Sequence, residues 1–270
     1  MFGEGERVFS NLLDYYLTGT PSKEANRGIA YREENKQNYI NEPAPGMNLT
    51  EVPFLYDDFQ EWEHRIIYYE TSRGCPFRCS YCLSSVDKQL RFRDLNVVKR
   101  ELDLFLSQKV AQVKFVDRTF NAKQSHGLEI WKYLLEHDNG VTNFHFEVSA
   151  DLIQEDELNL LKQMRPGLIQ LEIGVQTTNP KTAEAICRHA SFEEISHVVR
   201  KINSFHNIHQ HLDLIAGLPY EDYESFGRSF NDVYALEPEQ LQMGFLKVLK
   251  GSPMYNEAQT YGIHYSQYPP

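Results

Sequence analysis

The chain has little cysteine, four residues in 270, and carries no internal repeat and no low-complexity block. No run approaches the roughly 20 apolar residues of a membrane-spanning helix. No basic start leads into a signal-like apolar segment, so a cytoplasmic location is expected. Positive charge is outnumbered, 27 Lys and Arg against 38 Asp and Glu. A formal net charge of −11 argues against a tight non-specific grip on nucleic acid, which needs a basic surface. The local exception is Lys88, Arg91, Arg93, Lys99 and Arg100; such clusters are usually solvated faces, and the functional alternative is contact with RNA or an anionic substrate. Three clustered thiols plus a distant Cys187 do not make a disulfide framework, and Cys187 is expected as a small packed side chain.

What is present reads as one large domain with extensions. A hydrophobic content of 41% and a charged content of 24% are those of an ordinary globular chain. Residues 5–18 predict an amphipathic helix, with Val8, Leu12, Leu13 and Tyr16 on one side and Gly19 as its stop. Residues 28–40 suggest a short hairpin, and EPAPG at 42–46 punctuates a linker reaching to about residue 62. From residue 64 the pattern is regular, with β-rich runs at 65–72, 112–119, 143–150, 168–175, 209–217 and 241–249. Helical patterns at 95–108, 123–137, 155–165, 181–206 (interrupted) and 221–235 separate them. Such alternation implies parallel pairing through right-handed crossovers. Six units make either an open doubly wound sheet or an incomplete barrel, since a full barrel has eight.

Polar residues choose between the two. Residues two apart share a strand face, and His145, Glu147 and Ser149 alternate with Phe144, Phe146 and Val148. Glu172, Gly174 and Gln176 share register, as do His209, His211 and Asp213. A dry core face would not tolerate so many polar groups, whereas a polar barrel interior would. The expected domains are a helix–hairpin extension over 1–62, an incomplete (β/α)6 barrel over 63–252, and the start of a C-terminal region over 253–270.

The stretch ETSRGCPFRCSYCLSS places Cys75, Cys79 and Cys82 within eight positions, with no histidine between residues 64 and 126. Structural zinc sites take a fourth Cys or His, and four-iron clusters usually take four cysteines. Three thiolates leave one iron of such a cluster open to an exogenous molecule. Zinc binding or incidental cysteines are the structural alternative.

With Tyr81 in its aromatic slot, this C-x3-C-x-aromatic-C motif resembles the signature of the radical S-adenosylmethionine (radical SAM) superfamily, whose loop follows the first strand of a (β/α)6 TIM-like partial barrel. The resemblance implies that Cys75, Cys79 and Cys82 hold a [4Fe–4S] cluster whose open iron chelates S-adenosylmethionine (SAM). One electron then cleaves the sulfonium to give a 5′-deoxyadenosyl radical that attacks substrate. By similarity to oxygen-independent coproporphyrinogen oxidases, Tyr69, Glu147, Gln176, Arg188 and Asp213 correspond to SAM-contacting positions. In many members a Gly-Gly-Glu-like stretch holds the SAM amino group; here Val116-Asp117-Arg118-Thr119-Phe120 stands instead, with Asp117 as the candidate acceptor. Glu172, His211, Lys247 and Arg118 are candidates to face substrate. His206, His209 and His211 suggest a second metal site, although strand alternation produces such runs incidentally.

The ends extend the resemblance. GEGE at residues 3–6 is similar to the segment that closes an N-terminal cobalamin-binding domain in some radical SAM proteins, and GIHYSQYPP ends where those proteins continue into a C-terminal domain. The expectation is therefore a catalytic core whose full-length form uses cobalamin, with apolar residues near 50–60 such as Phe54, Leu55 and Tyr56 left uncovered. Anaerobic magnesium-protoporphyrin monomethyl ester cyclases are similar in general architecture. The expected partners are a small-molecule substrate and an electron donor such as flavodoxin or ferredoxin, with no membrane and nucleic acid disfavoured. The expected activity is that of an oxidoreductase or a methyltransferase. A tRNA-modifying enzyme and a non-catalytic metal-binding scaffold are the alternatives.

Overall fold

The computed structural model describes residues 1–266 other than 35, 57–61, 63 and 86–88; Lys88 of the basic cluster and much of the 57–63 linker lie outside the described residues. The chain divides into two compact units, Met1–Leu55 and Tyr56–Pro270.

In the first unit, helix α1 (Gly5–Thr18) ends where Gly19 turns into the left-handed region (φ 80°) and its N–H bonds Tyr15 O. Of the expected apolar side only Val8 is buried; Leu13 and Tyr16 are exposed. Strands β1 (Ala30–Arg32) and β2 (Asn38–Ile40) form the expected antiparallel hairpin, with Tyr31 and Tyr39 stacked across it. Leu55 is exposed, while Phe54 is half-buried.

The second unit opens with β3 (Ile67–Tyr69), β4 (Ser72–Arg73) and β5 (Arg91–Phe92), then alternates regularly. Helix α2 (Leu95–Ser107) leads to β6 (Gln112–Phe115), α3 (Gln124–Glu136) to β7 (Asn143–Val148), and α4 (Glu155–Leu161) to β8 (Ile169–Gln176). Helices α5 (Pro180–Ala185) and α6 (Phe192–Asn203) lead to β9 (His209–Ala216), and α7 (Tyr223–Tyr234) to β10 (Gln240–Phe245). Helix α8 (Pro253–Glu257) follows. Side chains written in the sequence start these helices. Asp94 accepts from Asn96 N and Val97 N, Ser191 and Glu194 form a reciprocal capping box, and Asp222 accepts from Ser225 N.

Six strands form one parallel sheet in the order β3-β6-β7-β8-β9-β10. Each new strand adds to the same edge. A doubly wound sheet reverses direction at a switch point, and this one never does, which is the topology of a rolled sheet. The register sets two unlike faces. Val113 pairs with Phe144, Phe146 with Leu171 and Ile173 with Leu212, all fully buried beneath the helices. Phe115, Phe120, Trp131, Phe144 and Phe146 make an aromatic core with ring centroids 4.3–6.4 Å apart. On the opposite face Lys114 pairs with His145, Glu147 with Glu172, and Glu172 with His211. The polar parity of the sequence is thus the barrel interior.

Candidate active site

The cysteine loop is held at both ends by protein. Strands β4 and β5 pair antiparallel, Ser72 opposite Phe92 and Arg73 opposite Arg91, closing the segment between them. Gly74 sits at φ 97°, where a Cβ would stand 2.6 Å from Gln89 O, so only glycine fits. Inside the loop, Ser80 N donates to Ile186 O (3.0 Å), Met254 N donates to Ser80 O (2.8 Å), and Cys82 N donates to Cys79 O (3.1 Å). Tyr81 packs against the apolar cluster of Ile186, Leu218 and Met254, which fixes the aromatic slot of the motif.

The three cysteines line one side of a cavity of about 200 Å³; Glu147, Gln176 and Asp213 line it from strands β7, β8 and β9, and Arg188 from the connection between α5 and α6. Cys75 and Cys79 are buried and Cys82 half-buried. Cys75 Sγ lies 3.6 Å from Thr119 Oγ1, and Arg188 Nη1 lies 4.0 Å from Cys79 Sγ. Arg188 Nη2 also donates to Gly174 O. A side chain on Gly174 would collide with the Gln176 amide, so its absence makes the room these residues occupy. Gln176 itself stands at φ 71°, where the β8–β9 register shifts.

Burial and neighbouring charge divide the acids. Burial, then the charge of Glu172, pushes the Glu147 carboxyl up to about 7. Glu172 is drawn down to about 2 by His145 and Lys114 against the opposing effect of burial. The Lys114 ammonium donates to Glu172 Oε2 at 2.9 Å. Asp213 raises the pKa of His211 above the usual histidine value. Burial pushes the Cys79 thiol up, and Arg188 opposes that shift.

The donor set fits a cluster better than a single ion. A mononuclear tetrahedral site needs its donors within a few ångströms of one another. Among the described residues, the cysteine sulfurs form no such group. Three thiols around a cavity, spread more widely and with no fourth protein ligand grouped with them among the described residues, suit a polynuclear cluster with one open metal.

Several expected site residues lie elsewhere. Tyr69 points away from the cavity because its register partner is Phe115, on the helix-facing side. Its hydroxyl donates to Glu101 Oε2 (2.6 Å) and its ring packs on Phe105. Asp117 is fully buried, accepting from Thr71 N (3.0 Å) and Thr71 Oγ1 (2.7 Å); burial raises it to about 6, and it anchors the strand before the loop rather than facing the cavity. The basic cluster is not one surface, since Arg93 is buried in an ion pair with Glu101 (2.5 Å). Cys187 is exposed rather than packed, at φ 55°. Lys247 is exposed beyond β10, and His206 is exposed where α6 ends. Arg118 and Glu172 do line the cavity. Lys114 went unnoticed in the sequence, though its parity in QVKFVD sets it opposite Val113 and Phe115.

Comparison with known proteins bears on the family and the fold. A curated relative, an uncharacterised methyltransferase of Pyrococcus horikoshii, is 24% identical over 95% of this chain and 57% of its own length. The cobalamin-dependent radical SAM methyltransferase TokK of Streptomyces tokunonensis is 24% identical over 97% of this chain and 41% of its own. Oxygen-independent coproporphyrinogen III oxidases and an anaerobic magnesium-protoporphyrin IX monomethyl ester cyclase are relatives as well. The chain spans about half the length of the curated relatives matched over most of it. In fold it is similar to the radical SAM methyltransferase TsrM of Kitasatospora setae, solved with tryptophan substrate and a SAM analogue. The TM-score is 0.78 at 18% identity, over 98% of this chain and 54% of that one. Residues 69–233, more than half of the chain, match the Radical SAM superfamily, and the chain belongs to that superfamily.

Proposed function

We propose that this chain is the catalytic core of a radical SAM enzyme that reductively cleaves SAM and acts on a small-molecule substrate, with methyl transfer as the reaction type. The observation that carries the reading is the convergence of three thiols and the polar ends of β7–β9 on one cavity. Cys75, Cys79 and Cys82 would hold the [4Fe–4S] cluster, which when bound supplies the electron that breaks the sulfonium. Arg188 offers a charge-assisted contact to the methionine carboxylate. Glu147 and Asp213 are acceptors for ribose hydroxyls or the amino group, and Gln176 contributes an amide from the β8 end. Tyr81 and its apolar cluster keep the loop's inner side dry, which protects a reactive intermediate from water.

Methyl transfer is favoured over oxidation because two relatives named as methyltransferases match 95% and 97% of the chain at 24% identity, against 21% identity over 94% for the cyclase. Assistance by cobalamin is part of this proposal, in the setting of a longer protein such as those relatives. Flavodoxin or ferredoxin would supply the electron in the cytoplasm, where thiols stay reduced. A tRNA substrate is disfavoured by the net charge of −11 and by the burial of Arg93. Anaerobic reconstitution tests the proposal. About four irons per chain are expected, with a reduced EPR signal that changes on adding SAM and slow release of 5′-deoxyadenosine. A single tightly held zinc without iron uptake would leave only the scaffold reading.

A further inference from the structure

We propose that His145, Glu172 and His211 form a second, mononuclear site for a divalent transition cation of the zinc type, set in the barrel interior beside the cysteine cavity. The three residues sit on adjacent strands β7, β8 and β9 and face the same way. Their donor atoms all lie within 4.8 Å of one another, the only such group among the described residues. Metal–donor bonds of about 2.0–2.2 Å place tetrahedral ligands roughly 3.3–3.5 Å apart, so small side-chain rotations close the site.

The imidazoles supply a second, independent observation. His145 and His211 are 6% and 5% exposed. Neither Nε2 has an aligned hydrogen bond, although each has a carboxylate beside it. His145 Nε2 lies 2.9 Å from Glu172 Oε2 and His211 Nε2 lies 3.1 Å from Asp213 Oδ1, close contacts off the donor line. Buried, poorly matched ring nitrogens are costly, and a shared cation would satisfy both.

Two imidazoles and one carboxylate are a donor set of catalytic zinc centres, which keep a fourth position open. Glu172 also lines the cysteine cavity, so a cation held here would adjoin that space. The surrounding charges allow this. Lys114 donates to Glu172 Oε2, the oxygen that also faces His145, and acts as an outer partner that orients the carboxylate. Asp213 and Glu147 add acidic groups facing the same layer, and Arg118 and Lys114 are the opposing cations. The site is distinct from the His206–His209–His211 run of the sequence, sharing only His211. It does not depend on the reaction proposed above.

The test uses the full chain with Cys75, Cys79 and Cys82 all replaced by serine, titrated anaerobically with Zn2+ and Co2+. One equivalent of zinc per chain is expected, and cobalt should give the visible absorption of a four- or five-coordinate site. His145→Ala and Glu172→Gln should each weaken binding at least tenfold, while His209→Ala should not. Absence of stoichiometric binding, or binding indifferent to the first two substitutions, would overturn the site. If the triple variant does not fold, zinc is counted in the iron-reconstituted parent chain and in its His211→Ala form. A full equivalent lost in the variant supports the site, and equal zinc in both overturns it.

Discussion

Arg188 and Cys79 meet across the cavity, a guanidinium nitrogen 4.0 Å from the thiol sulfur, although 109 positions separate them in the chain. The same side chain donates to Gly174 O, so one residue ties the cysteine loop to the end of β8. Arg188→Ala should lower SAM affinity roughly tenfold to a hundredfold, the worth of a charge-assisted contact of about 1.5–3 kcal/mol. Iron per chain should be unchanged. Equilibrium dialysis beside an iron assay checks both, and unaltered SAM affinity would remove Arg188 from the binding role.

Two glycines should fail in different ways. A Cβ on Gly74 meets backbone at Gln89 O and sits at positive φ, so Gly74→Ala should strain the β4–β5 closure and lower iron retention. A Cβ on Gly174 meets the flexible end of Gln176. Gly174→Ala should therefore keep the fold and its melting temperature within a few degrees while losing SAM binding. Identical phenotypes for the two variants would contradict the contrast.

Asp117 gives a test of anchoring against direct contact. Asp117→Ala leaves the Thr71 N–H and hydroxyl without their acceptor, which should cost about 2–3 kcal/mol of stability. Iron content should fall with stability, while SAM affinity per reconstituted chain stays within twofold. A stable variant with weakened SAM binding would restore the direct role.

Glu157 in α4 reports on pH. Burial pushes its carboxyl up to about 7, so between about pH 4.5 and 7 the folded chain keeps a proton that the unfolded chain has released. Stability must then fall as pH rises through that window. Glu157→Gln should reduce that fall by on the order of 1–2 kcal/mol, allowing for partial solvent screening. Urea denaturation at pH 5 and pH 8 measures it, and an undiminished slope would refute the assignment.

Much of this architecture was legible because strand and helix leave different periods in the chain. The alternation in NFHFEVSA and LIQLEIGV located β7 and β8 and assigned their polar side to the interior. The spacing of Cys75, Cys79 and Cys82 singled out the loop that lines the cavity. What was hidden depended on partners far away. Tyr68 and Tyr69 are adjacent aromatics on a three-residue strand, so local pattern does not say which one turns toward the helices. Asp117 stands where a ligand contact would, but its partner Thr71 lies 46 positions earlier. Arg93 reads as surface charge until α2 brings Glu101 over it.

The small ladder between β4 and β5 bears on the order of events during maturation. Joining the ends of a flexible loop costs chain entropy, and in zinc-finger-like domains the metal itself must offset that cost, so apo chains unfold. Here Ser72–Phe92 and Arg73–Arg91 pairing and the Asp117 anchor at Thr71 supply peptide and side-chain bonds that close the loop. On the proposed reading, iron insertion would then be a local step on a barrel already built. Oxidative loss of the cluster should leave a chain that can be refilled without being refolded.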